Sequence, residues 1–261
     1  MALTNKTIAA TYGDILQVEN SGSGRTASGT VIKDGLGQAT ALTLGQNKLH
    51  IKPSTDQTDA FLVESSGGTD LLTVDTTNSS IKAGTTQSYV NTQIKEFGTF
   101  DMSPTAGEHN AMVAMNSLGG GSSATTLALV SFGTGTDPAT SYTLSTGAEH
   151  LVPCYWYIPI AITLDEIRVI ASADGATTLN FHLFSYTMAT GTGSGAGDLS
   201  SGTLLAHNGS ALTVGDDRIT SATLTVDSAD VAADKVVLAF VENIGGTDDV
   251  TAQLIVKYHY Q

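Results

Sequence analysis

Between residues 61 and 84 the chain alternates apolar and polar positions in short runs, and each run ends in a turn. Phe61 and Val63 share one face of a first strand, and Ser65-Ser-Gly-Gly-Thr-Asp70 supplies the turn that ends it. Leu72 and Val74 repeat the alternation, and Asp75-Thr-Thr-Asn-Ser79 turns the chain into Ile81 and Ala83. A period of two bounded by such turns predicts three antiparallel strands. A strip this short cannot enclose a core, because a few isolated strands are marginal in water. Phe61, Val63, Leu72, Val74 and Ile81 are therefore expected to be buried mainly by other subunits.

The same grammar appears earlier in the chain. Residues 15–18 and 30–33 read as short strands, with Asp34-Gly35 as a hairpin turn. Residues 41–44 and 49–51 form a second hairpin, closed by Pro53. Leu42 and Leu44 correspond to Leu72 and Val74, and Leu49 and Ile51 to Ile81 and Ala83, which makes a degenerate repeat of two copies. Residues 85–101 form the candidate boundary, with Tyr89, Val90, Ile94 and Phe97 spaced for one or two helical turns ended by Gly98. Residues 117–126 are a Gly/Ser/Ala/Thr loop.

Beyond this loop the predicted strands lengthen: 127–132, 142–144, 151–158, 160–171, 178–188, 203–206, 219–226, 236–242 and 250–260. In the last, Leu254, Val256, Tyr258 and Tyr260 share a face while Gln253, Lys257 and His259 take the other. The expected fold is all-β. Residues 1–14 are an attachment arm, 15–95 a shaft of short β-hairpins, 96–126 a connector, and 127–261 an antiparallel, jelly-roll-like β-sandwich head.

Charge sharpens this division. Residues 1–95 carry seven basic and eight acidic side chains and residues 96–261 carry four and 17, so the net charge of −14 falls almost wholly on the second part. An acidic surface repels phosphate backbones, which argues against nucleic acid as a partner. The N-terminal residues lack the apolar run of a secretory signal, and no stretch is long and apolar enough for a membrane helix, so synthesis in a cytoplasm without membrane insertion is expected. Cys154 is the single cysteine, which excludes an internal disulfide and predicts a small buried hydrophobe.

Candidate chemistry is sparse. Asp165-Glu166, Asp216-Asp217 and Asp248-Asp249 are adjacent carboxylates, but neighbours in a strand point to opposite faces and cannot straddle one glycosidic bond. They mark turns and bulges. His50, His109, His150, His182, His207 and His259 lack metal-ligand spacing, and Asp227, Asp230 and Asp234 do not follow a calcium-loop pattern. Residues 191–196, GTGSGA, resemble a dinucleotide fingerprint without the helix it requires. Tyr155-Trp-Tyr157 forms an aromatic cluster, with Trp156 read as core or subunit interface rather than a sugar platform. The Gly-rich loops 189–201 and 207–217 are better placed to contact a ligand. No catalytic residue, metal or cofactor is assigned, and an enzyme is not expected.

Several segments carry a resemblance. Residues 1–8 (MALTNKTI), 12–18 (YGDILQV), 31–35 (VIKDG) and 61–84 look like the N-terminal region of tailed-bacteriophage fibre proteins. Residues 132–138 (FGTGTDP), 154–159 (CYWYIP), 181–186 (FHLFSY) and 197–202 (GDLSSG) resemble the C-terminal domain of the same group. The resemblance covers most of the chain and implies a virion structural protein: a homotrimeric tail fibre or spike with a β-rich shaft and a sandwich head. It further implies docking on other virion proteins through the N-terminal region and recognition of a host surface glycan or protein. Similar modules also decorate capsids as head fibres, and a glycan-cleaving spike enzyme is the reading from another class.

Overall fold

A computed structural model describes residues 17–18, 27–34, 36–114, 130–144 and 150–261. The expected arm 1–14 and loop 117–126 lie outside them. The described residues are all-β, and they divide into two compact units, residues 1–90 and 91–261.

The described residues of the first unit form two four-stranded antiparallel meanders. The first contains β1 (Gln17–Val18), β2 (Thr30–Lys33), β3 (Ala39–Leu44) and β4 (Leu49–Ile51), each hydrogen-bonded to the next. The second contains β5 (Phe61–Glu64), β6 (Asp70–Asp75), β7 (Ser80–Ala83) and β8 (Ser88–Tyr89) in the same order. Leu42 pairs with Ile51 and Leu44 with Leu49, as Leu72 pairs with Ala83 and Val74 with Ile81. The degenerate repeat in sequence is thus a repeat in register.

Residues 91–261 form a two-sheet sandwich. One sheet has the order β16 (Thr220–Thr223), β12 (Ile162–Ala173), β20 (Val250–Tyr260), β9 (Thr92–Met102), with β18 (Asp230–Val231) also on β12. The other has the order β10 (His109–Ala111), β19 (Lys235–Asn243), β13 (Thr177–Met188), β14 (Leu199–His207), β17 (Thr225–Val226). There β11 (Trp156–Ile158) also pairs with β19, and β15 (Leu212–Val214) with β13. The eight strands β9, β10, β12, β13, β14, β16, β19 and β20 are distributed over the two sheets in the order of a jelly roll.

Alternation decides what each face buries. Phe97, Ile167, Val169, Leu254 and Val256 of the five-stranded sheet meet Leu179, Phe181, Leu183, Val237, Ala239 and Val241 of the seven-stranded sheet in the main core. The next positions along β13 and β19, Phe184, Tyr186, Val236, Leu238 and Phe240, point to the other side of the same sheet and form a second core with Phe132, Leu151 and Cys154. The seven-stranded sheet is therefore buried on both faces, which is why 236–241 reads as an unbroken apolar run.

The second core is closed by residues 130–144 and 150–155, which cross the sheet as a strap. Of the expected strand 127–132 only 130–132 lies among the described residues; it and the expected strand 142–144 are reduced to single bridges, Ser131 with Asn110 and Tyr142 with Leu199. The strap is held by the Tyr186 hydroxyl donating to the Ala139 carbonyl (2.9 Å) and by the Gly202 amide donating to Thr140 (2.8 Å). A Cβ on Gly202 would lie 2.7 Å from the Tyr186 ring and 2.8 Å from the Thr140 Cα, so only glycine admits the strap this closely. Residues 151–155 hold a short 3-10 turn, Val152–Cys154, because Pro153 has no N–H for a ladder.

The expected division of the chain differs at its middle. The helical spacing of Tyr89, Val90, Ile94 and Phe97 is overridden by an 11-residue strand, and neither the limit at residue 95 nor the connector 96–126 coincides with a structural unit, since β9 and β10 belong to the sandwich. A bulge near Thr99–Met102, with Asp101 at φ 52°, breaks the alternation and hid the strand. Phe181, fully buried in the main core, tests that core. Phe181→Ala is expected to cost about 3–5 kcal/mol, read from urea unfolding followed by the single tryptophan, Trp156, whose ring packs on Phe97.

Candidate functional site

The predicted interface residues come together on one face of the second meander. Phe61, Val74 and Ile81 form one cross-strand row, and Val63, Leu72 and Ala83 the next. Their turns are well made: Gly68 at φ 78° closes 65–69, and the Asn78 backbone and side-chain N–H groups both donate to the Asp75 carboxylate. Those bonds hold the Asp75 carboxyl below the usual carboxylate range.

The two faces of this meander are finished differently. On the polar face, the Thr73 hydroxyl donates to the Gln87 side-chain carbonyl (2.9 Å), the Gln87 amide donates to the Asp70 and Gly84 carbonyls, and the Lys82 ammonium lies 5.0 Å from the Tyr89 ring centre. Thr73 is buried by this arrangement. The apolar face has no such cover: Phe61 is 38%, Val63 40% and Ile81 44% exposed, while Leu72 and Val74 are half-buried between them. Covering the open part of each large side chain is worth on the order of 1 kcal/mol. The polar face is braced by these side chains and the apolar rows are left open, although Leu71 of β6 is also 40% exposed.

In the sandwich the adjacent carboxylates stand where turns and bulges were expected. Asp165 sits in a bulge of β12 and accepts a hydrogen bond from His259 Nδ1 (2.9 Å), while Glu166 pairs with Arg168. Asp217 has φ 50° in a turn, and the Asp249 amide donates to Asp174 (2.7 Å). Asp227, Asp230 and Asp234 are each engaged separately, with His207, with Thr163 and Gln261, and with the Tyr157 hydroxyl. Among the described residues no group of three His, Cys, Asp or Glu side chains is arranged to hold a metal ion. Residues 191–196 lie in the loop between β13 and β14. Trp156 is half-buried, edge-on to Phe97 and 4.9 Å between ring centres from Tyr258.

One grouping had no signal in the spacing of the sequence. His109, His182 and His207 come from β10, β13 and β14 and meet on the strap side of the seven-stranded sheet. Ring centres of His109 and His182 are 4.9 Å apart, and those of His182 and His207 6.4 Å. His109 Nε2 donates to the Gly135 carbonyl of the strap (2.9 Å), and His207 Nδ1 is 2.7 Å from Asp227. His182 Nε2 is 3.5 Å from Asp137, also on the strap. The Nδ1 atoms of His109 and His182 are buried without a partner. Burial, reinforced by His109 and His207, pulls the His182 pKa down to about 3; the Asp137 carboxylate is too exposed to offset it.

No protein-family model matches the chain, and a search of curated proteins finds no match.

Cys154 lies in the second core, and burial pushes its thiol up to about 12. The folded protein is therefore expected to stay unmodified by iodoacetamide at pH 8 over the time in which the urea-unfolded chain reacts fully, as measured by intact mass.

Proposed function

We propose that this chain is a virion structural protein of a tailed bacteriophage: a homotrimeric tail-fibre or spike appendage whose N-terminal region attaches to the particle and whose acidic sandwich meets the host surface. The observation that carries the assembly is the open face of Phe61, Val63, Leu72, Val74 and Ile81, set against a polar face closed by Gln87. A marginal four-stranded meander that satisfies every turn but leaves its apolar rows uncovered is a surface built for copies of itself. The near-neutral charge of residues 1–95 lets copies approach there without repulsion. The sequence resemblance supports the virion setting, and the jelly-roll sandwich suits a head that presents loops on a rigid scaffold.

Three heads on one fibre, and several fibres on one particle, multiply a modest single-site affinity for a host glycan or surface protein. Specificity in this reading belongs to the sandwich loops, and the shaft supplies valency and reach.

Two measurements test the proposal. Sedimentation of the full chain is expected to show a trimer, and Val74→Asp, which places a charge among the apolar rows, is expected to yield monomers with the sandwich still folded. A wild-type monomer at micromolar concentration contradicts the assembly. Immunogold labelling of intact particles is expected to mark the tail; label over the capsid shell assigns the protein to decoration instead.

A further inference from the structure

Over residues 132–137 the strap is fastened to the sheet by the histidine group, while residues 139–142 are held separately by Tyr186, Gly202 and Leu199. His109 binds it three times, its backbone N–H donating to the Gly133 carbonyl (3.0 Å), its carbonyl accepting from the Phe132 N–H (2.8 Å) and its Nε2 donating to Gly135, while His182 faces Asp137. Residues 133–137 are exposed, and Phe132 and Pro138 on either side are buried. Directly beneath Phe132 lie Tyr186 and Phe240. We propose that His182 is an acid-operated latch: proton uptake at its imidazole unseats the strap from the seven-stranded sheet and opens the second core.

The geometry leaves the protonated ring badly placed. His182 is 4% exposed, and its Nδ1 meets no acceptor. A charge there would be desolvated beside two further imidazoles, His109 of β10 and His207 of β14. The carboxylates around it are otherwise committed: Glu242 of β19 accepts from Asn180 (2.8 Å), and Asp227 faces His207. Asp137 is the remaining one, at 3.5 Å and about half exposed, and it rides on the strap itself. A proton on His182 is satisfied by water once residues 132–137 lift; that movement breaks their three bonds to His109, while the bonds of Ala139 to Tyr186, Thr140 to Gly202 and Tyr142 to Leu199 hold the rest of the strap, so opening is local rather than global.

The direction follows from linkage. The closed-state pKa of about 3 lies below the ordinary value of 6.5, so closure is fully favoured above that value and weakens as pH falls from it toward 3. Between pH 7.5 and pH 5.0 the open fraction is expected to rise about 30-fold from this one group. The inference rests on the sandwich alone and stands or falls separately from the virion assignment.

Cys154 reports the opening, since its thiol lies in the same core. Full-length protein is treated with 4,4′-dithiodipyridine from pH 7.5 to 4.5, with each rate divided by that of free glutathione at the same pH. Trp156 fluorescence, on the other core, monitors global folding. The expected result is a normalised rate that rises roughly 30-fold by pH 5.0 with unchanged Trp156 emission, and a rise reduced to under about threefold in His182→Phe. An unchanged pH response in His182→Phe, or a flat rate in the wild type, overturns the latch. Should His182→Phe fail to fold, ring titration of ¹³C-labelled histidines in the wild type decides: a His182 signal that titrates without any rise in Cys154 labelling also overturns it.

Discussion

An apolar face of a β-sheet has to be covered, and this chain meets that constraint in three different ways. The inner faces of the sandwich cover each other through Ile167, Leu254, Phe181 and Val241. The second face of the seven-stranded sheet is covered by an irregular strap anchored on Phe132, made possible by the missing side chain of Gly202. The rows of Phe61 and Val63 in the second meander are not covered to the same degree among the described residues of their own unit. The first gives a rigid scaffold; in the proposals made above, the second is a closable layer and the third a surface for association.

The double burial of β13 and β19 has a consequence for the histidines. A strand with one face in the main core and the other under a strap has no wet side for a polar residue, so His182 and Asn180 on the outer face must be served by the strap or by each other. Asn180 finds Glu242, whereas His182 keeps an unpartnered nitrogen among two other imidazoles. In the proposed latch the second core is the part of the sandwich whose closure depends on the protonation of a side chain; among the described residues the main core is lined by aliphatic and aromatic side chains, with Tyr258 as its titratable member.

How much of this could be seen in the sequence depended on the range of the interaction that fixes each element. The second meander was legible because its alternation and its turns, Ser65-Ser-Gly-Gly and Asp75-Thr-Thr-Asn, act over a few residues. The long strands β12, β13 and β20 were legible for the same reason, and β19 as a short apolar run. β9 was not, because an edge strand with a bulge at Asp101 loses its period and its Ile94–Phe97 spacing imitates a helix. The strap was misread as strands because Phe132 is buried, and Tyr142 half-buried, by a sheet beneath them and not by a ladder of their own. The histidine group is set by strand order alone, which short-range pattern does not encode.

The central claim is that the open rows of the second meander are buried by other copies of the chain. Ile81 is on that face, and the native Cys154 is shielded in the second core, so an Ile81→Cys variant carries a single reactive position. Its rate of modification by a maleimide in the assembled protein tests the claim directly. The account predicts strong protection, released when Val74→Asp separates the copies. Modification at the rate of a fully exposed thiol in the otherwise unaltered protein contradicts it.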